Sequence, residues 1–390
     1  MTGEERGRLR EVAGLFLKLG TIAFGGPAAH IAMIRDEVVN RRGWVTEQYF
    51  LDLLGAANLI PGPNSTEMTI HLGYQRAGRK GLVVAGTAFI VPAFFIVLVI
   101  AALYVKYGTL PEAQWLLYGI KPAILAVVVQ ALWNLARTAV RGPLTALIGA
   151  AALAAYFLNV NELLILAVGA AAVLVARGIA AGRAQAWLKG MAWVGPGAPS
   201  LWQTTVWLVQ AAPPPTPADL FWTFLRIGSV LYGSGYVLLA FMYSDFVAKT
   251  GWLTQQQLLD AIAVGQFTPG PVFTTATFVG YIMAGWQGAV AATVGIFLPA
   301  FFFVWLTHPY VARARSSLWA GALLDGVNVA SLALMAGVTV QLGRAAVIDP
   351  FTIAIAIMAA VALLRYRVNS AWLVLGGGLA GLAYRYLIGG

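Results

Sequence analysis

Two stretches of this chain are copies of each other. Residues 16–63 align with 224–271 at a constant offset of 208, and after the loss of one residue the register continues at 207. Phe16, Leu17, Gly20 and Gly25 fall on Phe224, Leu225, Gly228 and Gly233, and Pro61-Gly62-Pro63 falls on Pro269-Gly270-Pro271. Further on, Gly73-Tyr74 meets Gly280-Tyr281, Ala77-Gly78 meets Ala284-Gly285, and Pro92-Ala93-Phe94 meets Pro299-Ala300-Phe301. Proline removes a backbone donor and glycine opens unusual dihedrals, so a duplicated fold must break its helices at equivalent places in both copies.

Composition says what surrounds those helices. Sixty per cent of the residues are hydrophobic and 10% are charged, where a soluble domain carries roughly a quarter charged residues. Runs such as Leu82–Val105, Ala289–Leu306 and Leu318–Val340 approach the ~20 residues that span a bilayer. They are continuous and do not alternate, which argues against a β-barrel. The chain reads as an all-α polytopic membrane protein, and duplication with matched helix breaks points to two inverted-topology repeats of a transporter.

The net charge of +10 does not mark a nucleic-acid partner, because the basic residues stand singly or in pairs beside apolar runs, as loop arginines of membrane proteins do. With no cysteine and three histidines, no metal site, cofactor or cysteine chemistry is expected. The N-terminal stretch has no cleavable signal pattern.

The expected organisation is a first repeat over 11–177, a linker over 178–217 and a second repeat over 218–388. The linker holds Pro213-Pro214-Pro215, an extended spacer, and has room for an interfacial helix at 201–212. Each repeat opens with one helix, 11–34 or 218–243, interrupted at Phe24-Gly25-Gly26-Pro27 or Tyr232-Gly233-Ser234-Gly235. A second helix starts at Thr46 or Thr254, the latter with a capping-box Gln257. It stops at Pro-Gly-Pro, and a further short helix follows. At about 14–16 residues, or roughly 21–24 Å, each short helix fails to cross a ~30 Å core alone. They form either a re-entrant pair or one broken crossing, and non-helical backbone at that depth must line a cavity or be buried in protein. Basic residues cluster at Arg76–Lys80, Arg137, Arg141 and Arg177 in the first half, but at Arg313, Arg315, Arg365 and Arg367 in the second. The positive-inside rule then sets the halves in opposite orientations, with Arg344 and Lys249 as exceptions. Five crossings plus a re-entrant pair per half satisfy this; six would need the linker to cross.

The segments after the breaks carry the chemistry. Asn64-Ser65-Thr66 and Thr274-Thr275 restart helices with hydroxyls suited to N-capping. Free N–H groups and the macrodipole make each restart attractive to an anion, and two of them about a pseudo-twofold axis would form a midplane site. The plainer alternative is a pair of kinked, packed spans. Lys18 and Arg226 align in the first helices; they either attract the substrate or snorkel to the interface. Asp52 and Asp260 precede the breaks and either pair with Lys18 or Arg226 or carry a coupling proton. Glu67 sits in the first turn after the break, where its charge would oppose a bound anion and its protonation would alternate with substrate; it is equally a helix N-terminal stabiliser. His71, like His30, titrates in the useful range, though a lone histidine is more often a satisfied polar group.

Phe16–Pro27 and Ala56–Ser65, with their repeats, resemble the chromate ion transporter (CHR) family in its long, two-domain form. The resemblance implies efflux of chromate from the cytoplasm across a bacterial inner membrane, driven by the proton-motive force. It carries motif roles onto Gly25, Gly26, Pro27, Asn58, Pro61, Gly62, Pro63, Asn64, Pro269, Gly270 and Pro271. Ser65, Thr66, Gln266, Thr274, Thr275, Lys18 and Arg226 complete the candidate binding set, with Glu67, His71, Asp52 and Asp260 as proton-coupling candidates. The second copy has no proline at the first motif, which sets its role apart. Expected partners are chromate or a similar oxyanion, the bilayer, protons as coupling ion and a second copy in a homodimer. Sulfate, of the same shape and charge, is the alternative substrate, and a non-transporting membrane scaffold is the alternative function. No enzymatic activity is expected.

Overall fold

The computed structural model describes residues 2–24, 26–180, 213–232, 235, 237–310, 318–366 and 368–388. It places fourteen α-helices among them, seven in each half. The first half runs α1 (Gly3–Ile22), α2 (Gly26–Arg35, extended by a π turn Asp36–Arg41), α3 (Glu47–Ala57), α4 (Asn64–Tyr107), α5 (Pro111–Ala139), α6 (Pro143–Phe157) and α7 (Glu162–Ala180). The second repeats it as α8 (Pro217–Val230), α9 (Leu238–Met242, extended by a π turn Tyr243–Lys249), α10 (Gln255–Phe267), α11 (Thr275–Thr307), α12 (Leu318–Ala346), α13 (Pro350–Tyr366) and α14 (Ser370–Ile388). The protein is an all-α polytopic membrane protein: α4, α5, Val272–Thr307 around α11, and Gly321–Ala346 within α12 are long and apolar enough to cross a bilayer.

The opening helix of each repeat is not one span. Gly26 takes φ of 78°, Pro27 follows it inside the first turn of α2, and the chain reverses. The His30 Nε2 sits 3.0 Å from the Ala23 carbonyl, and Lys18 reaches Glu37 at 2.9 Å, so α1 and α2 lie antiparallel. This corrects the expectation of a single interrupted helix over 11–34: the break is a chain reversal. The expected interfacial helix at 201–212 lies outside the described residues, as do Gly25, Arg313, Arg315 and Arg367.

The short helices form a hairpin. Thr46 caps α3 by accepting the Tyr49 amide, and Thr254 with Gln257 completes the capping box of α10. The α3 helix runs inward to Pro61-Gly62-Pro63, and the first arm of α4 runs back out. Tyr49 Oη donates to Gln75 Oε1 at 3.1 Å, which brings the start of α3 beside the end of that arm. At Ala77-Gly78 the chain then turns sharply, and a Cβ on Gly73 would meet Ala85 and the Gly81 carbonyl. In a straight helix residues 73 and 85 would stand roughly 18 Å apart; here α4 is a hairpin of a short arm and a long one. The α11 helix turns identically at Ala284-Gly285, with dihedrals of −141°, 27° and 62°, −156° against −142°, 25° and 62°, −152° in the first copy. Thr277 and Thr293 hydroxyls consequently meet at 2.7 Å across its two arms.

The halves embrace by exchange. The last two helices of each repeat pack on the long fifth element of the other: α13 and α14 on α5, α6 and α7 on α12. Glycines make the crossings possible. Gly119 of α5 touches Gly377 of α14, and its counterpart Gly326 of α12 touches Gly169 of α7, backbone against backbone. Small residues at such crossings let helices approach closely in lipid.

Candidate functional site

The tips of the hairpins meet at the centre. The Gly62 amide donates to the Leu231 carbonyl at 2.8 Å, and the Gly270 amide donates to the Ala23 carbonyl at 2.9 Å. Leu231 is the repeat counterpart of Ala23, and Gly270 that of Gly62, so the two bonds are one bond related by a pseudo-twofold. Each Pro-Gly-Pro turn is thereby clamped to the α1–α2 or α8–α9 turn of the opposite half. Both glycines hold positive φ, 143° at Gly62 and 85° at Gly270.

A small cavity of about 50 Å³ lies between these tips, lined by Pro27, Pro63, Asn64, Ser65, Gly235 and the Val272-Phe273 pair. The lining is again made of repeat equivalents: Pro27 with Gly235, Asn64 with Val272, Ser65 with Phe273. The first residues of α4 and of the 3-10 turn Val272–Thr274 that leads into α11 therefore face one space. The first N–H groups of each start have no partner within the helix. A volume of this kind holds a few waters or one small polyatomic ion. Behind it, His30 Nδ1 lies 3.4 Å from Ser65 Oγ, so this histidine is a satisfied buried group.

The capping hydroxyls behave differently from expectation. Pro63 is the N-cap of α4 and makes no side-chain cap. Thr274 and Thr275 donate to the carbonyls of Pro271 and Val272, at 2.8 and 2.7 Å. These hydroxyls sit inside the first turns, where carbonyls rather than free amides are within reach. Asn64 Nδ2 donates to Asn58 Oδ1 at 2.6 Å, and Gln266 is buried on the last turn of α10.

Lys18 and Arg226 stand away from the cavity. Each salt-bridges an acid nineteen residues on: Lys18 with Glu37 at 2.9 Å, Arg226 with Asp245 at 2.5 Å. Among the described residues neither forms a salt bridge with Asp260. Glu37 and Asp245 are themselves repeat equivalents at offset 208, so extending the alignment would have found them. Asp52 accepts from Gln48 at 3.1 Å. Asp260 is buried, accepts from Tyr104 at 2.8 Å and lies 3.3 Å from Lys121 Nζ.

Glu67 and His71 are fully buried, one turn apart on the short arm of α4. Both Glu67 carboxyl oxygens lack a hydrogen-bond partner among the described residues. The carboxyl folds back over the Pro-Gly-Pro turn, and a Cβ on Gly62 would strike it. His71 Nδ1 lies 2.9 Å from Nδ1 of His308, a residue that the repeat does not predict, since Ala101 stands at its counterpart.

A second, polar cavity of about 330 Å³ opens beside the first, between Asn58, Thr138, Arg141, Asp325, Asn328 and Ser331. Asp325 salt-bridges Arg141 at 3.1 Å and also Arg177. Arg141 lines the cavity with Asn58, and Arg177 adds positive charge through Asp325.

The profile of the chromate transporter family matches residues 10–175 and 218–382. The chain belongs to the chromate transporter family. The transporter is 30% identical over 382 residues to the chromate transport protein of Cupriavidus metallidurans, covering 96% of this chain and 92% of that protein. It is 32% identical over 379 residues to the chromate transport protein of Pseudomonas aeruginosa (94% and 90% covered). It is 32% identical over 360 residues to a probable chromate transport protein of Synechococcus elongatus (90% and 88%). No solved structure matches it. These relatives are named for transport, and the transporter is not an enzyme.

Proposed function

We propose that this protein exports chromate from the cytoplasm across a bacterial inner membrane by alternating access, with protons as the coupling ion. The observation that carries the reading is the meeting of both Pro-Gly-Pro tips at one cavity, under reciprocal bonds from Gly62 to Leu231 and from Gly270 to Ala23. Two helix starts aimed at one point supply N–H donors and partial positive charge to a tetrahedral dianion, with Asn64 and Ser65 as side-chain donors. Pro27, Gly26 and the two Pro-Gly-Pro turns shape the cavity; Lys18 and Arg226 hold the hairpin bases.

Inverted repeats are the arrangement that makes this site switchable. Support comes from α7: Glu162 at its start takes Ser244 and Lys249 at the base of the second half's hairpins, while Arg177 towards its other end reaches Asp325. The two hairpin sets then enter from opposite faces and meet at the middle. Divisions near residues 177 and 218 follow from the same arrangement.

Glu67 supplies the coupling. An unpaired carboxyl buried behind Gly62 is stable while it carries a proton. Ionised, it would repel a dianion in the neighbouring cavity. Substrate and proton thus alternate. The route to the cavity passes Arg141 and Arg177, which concentrate anions at the mouth.

Energised inverted vesicles test the reading. Chromate should accumulate in the lumen and the accumulation should collapse when the pH gradient is dissipated. Absence of accumulation beside a working control transporter removes export. Sulfate competing at equal affinity would make chromate one member of a wider oxyanion class.

A further inference from the structure

Among the described residues His71 and His308 are the one histidine pair in contact, and neither lines the cavity. Their Nδ1 atoms are 2.9 Å apart, so one ring donates and the other accepts. Tyr74 lies against His308 with ring centroids 4.2 Å apart. On the other side, His71 Nε2 is buried without a partner, as are both oxygens of Glu67, one turn deeper on the same helix face. A histidine with one nitrogen against a second histidine and the other buried without a partner can take a proton at one side and release it at the other.

The line has a direction. His308 follows α11 at the level where the short arm of α4 ends, since Tyr74 is its neighbour and Arg79 lies over the Trp305 ring at 5.9 Å. Arg76 and Lys80, at the same turn, reach out to Glu11 and Glu5. Arginine, lysine and tryptophan together mark a membrane–water interface. From Tyr74 to Glu67 is seven residues, about 10 Å along the helix. The second half has no equivalent: Thr274 or Thr275 stands where Glu67 does, and Phe278 or Val279 where His71 does. The titratable groups near the line are Tyr74 on α4 and Tyr232, two residues past the end of α8.

We propose that Glu67, His71 and His308 form a single-sided proton relay joining the Pro-Gly-Pro turn to the face of the membrane that bears Arg76 and Lys80. The Glu67 carboxyl passes its proton to His71 Nε2 through one bridging water; His71 Nδ1 passes one to His308 Nδ1; His308 Nε2 releases one to solvent. Both rings stay neutral with their tautomers exchanged and are reset by the reverse tautomer shift; Glu67 is left as the carboxylate, whose negative charge balances the proton released. The inference deepens the proposed coupling and rests on it. It adds His308 as the outlet, and it states that only one face exchanges protons with Glu67.

Proteoliposomes with a trapped pH dye test it, using chromate as the probe in two assays. One is chromate–chromate exchange, which needs no proton. The other is uphill chromate movement driven by an imposed pH gradient. His308→Gln should keep exchange within about two-fold of the parent and lose at least ten-fold in pH-driven transport; Glu67→Gln should lose pH-driven transport as well. PH-driven transport at the parent rate in either variant overturns the relay. So does loss of exchange in His308→Gln at normal membrane abundance, which would make His308 a packing residue. Where His308→Gln lowers abundance, Glu67→Gln and His71→Gln decide by the same criterion. A parent protein without exchange would sink the transport reading and the relay with it, whereas exchange without any pH-driven movement would sink the relay alone.

Discussion

Gly270 donates its amide hydrogen to the Ala23 carbonyl at 2.9 Å, across the boundary between two halves whose sequences are copies. The bond fastens a helix break of one copy to a chain reversal of the other, and its twin runs from Gly62 to Leu231. Any movement of one tip that keeps both bonds must carry the other tip with it.

The first expectation concerns those glycines. A Cβ on Gly270 would stand 2.7 Å from the Ala93 Cβ and 3.0 Å from the Gly20 carbonyl, on a residue with φ of 85°. Gly270→Ala should cost about 1–3 kcal/mol through backbone strain and further through the clash, and lower transport at least ten-fold. Gly62→Ala should act alike, with the Glu67 carboxyl displaced. Thermal unfolding of purified protein and chromate exchange check both.

Lys18→Ala leaves Glu37 buried without its nearest cation; Arg41 and Arg42 remain, at 3.3 and 3.2 Å. The loss should be about 1–2 kcal/mol, because Lys18 itself is half exposed. Arg226→Ala should behave likewise at Asp245, where Lys249 remains at 3.3 Å. Stability should fall while exchange per folded molecule stays within about two-fold. A collapse of exchange at unchanged stability would return both cations to a substrate role.

Lys121 and Asp260 pair across the halves in a buried setting, with side-chain exposures of 16% and 3%. Lys121→Met should destabilise by roughly 3 kcal/mol, since it abandons a buried carboxylate. Adding Asp260→Asn should recover most of that loss. If the double variant is no more stable than the single one, the pair does not account for the effect of Lys121.

Asp325 holds Arg141 and Arg177 together. Asp325→Asn should free positive charge at the mouth of the larger cavity and lower the apparent KM for chromate several-fold at low salt, an advantage that fades as ionic strength rises. Initial-rate measurements at two salt concentrations read this out.

Much of the architecture was legible because duplication and hydrophobicity are written locally. The matched breaks at Pro61-Gly62-Pro63 and Pro269-Gly270-Pro271, the caps at Thr46 and Thr254, and the short helices around the breaks all follow from residue type and spacing. The reversal at Gly26-Pro27 was read as an interruption, because a break tells where a helix stops and not which way the chain leaves. The pairing of Lys18 was missed for a related reason: Glu37 becomes its neighbour only once α2 folds back along α1.

The sequence by itself determined a twice-written, helix-broken membrane chain and the family to which it belongs, since these depend on composition and on residues near one another along the chain. Only the tertiary structure decided that the tips of opposite halves clasp each other around one cavity, that Lys121 of the first half neutralises Asp260 of the second, and that His308 meets His71. Those partners lie 139 and 237 residues apart. In each pair the copies diverge at one member at least, Lys121 meeting Asn328 and His308 meeting Ala101, so no internal repeat announces the contact. Their contact is set by how two helical hairpins pack, a choice that no local propensity encodes.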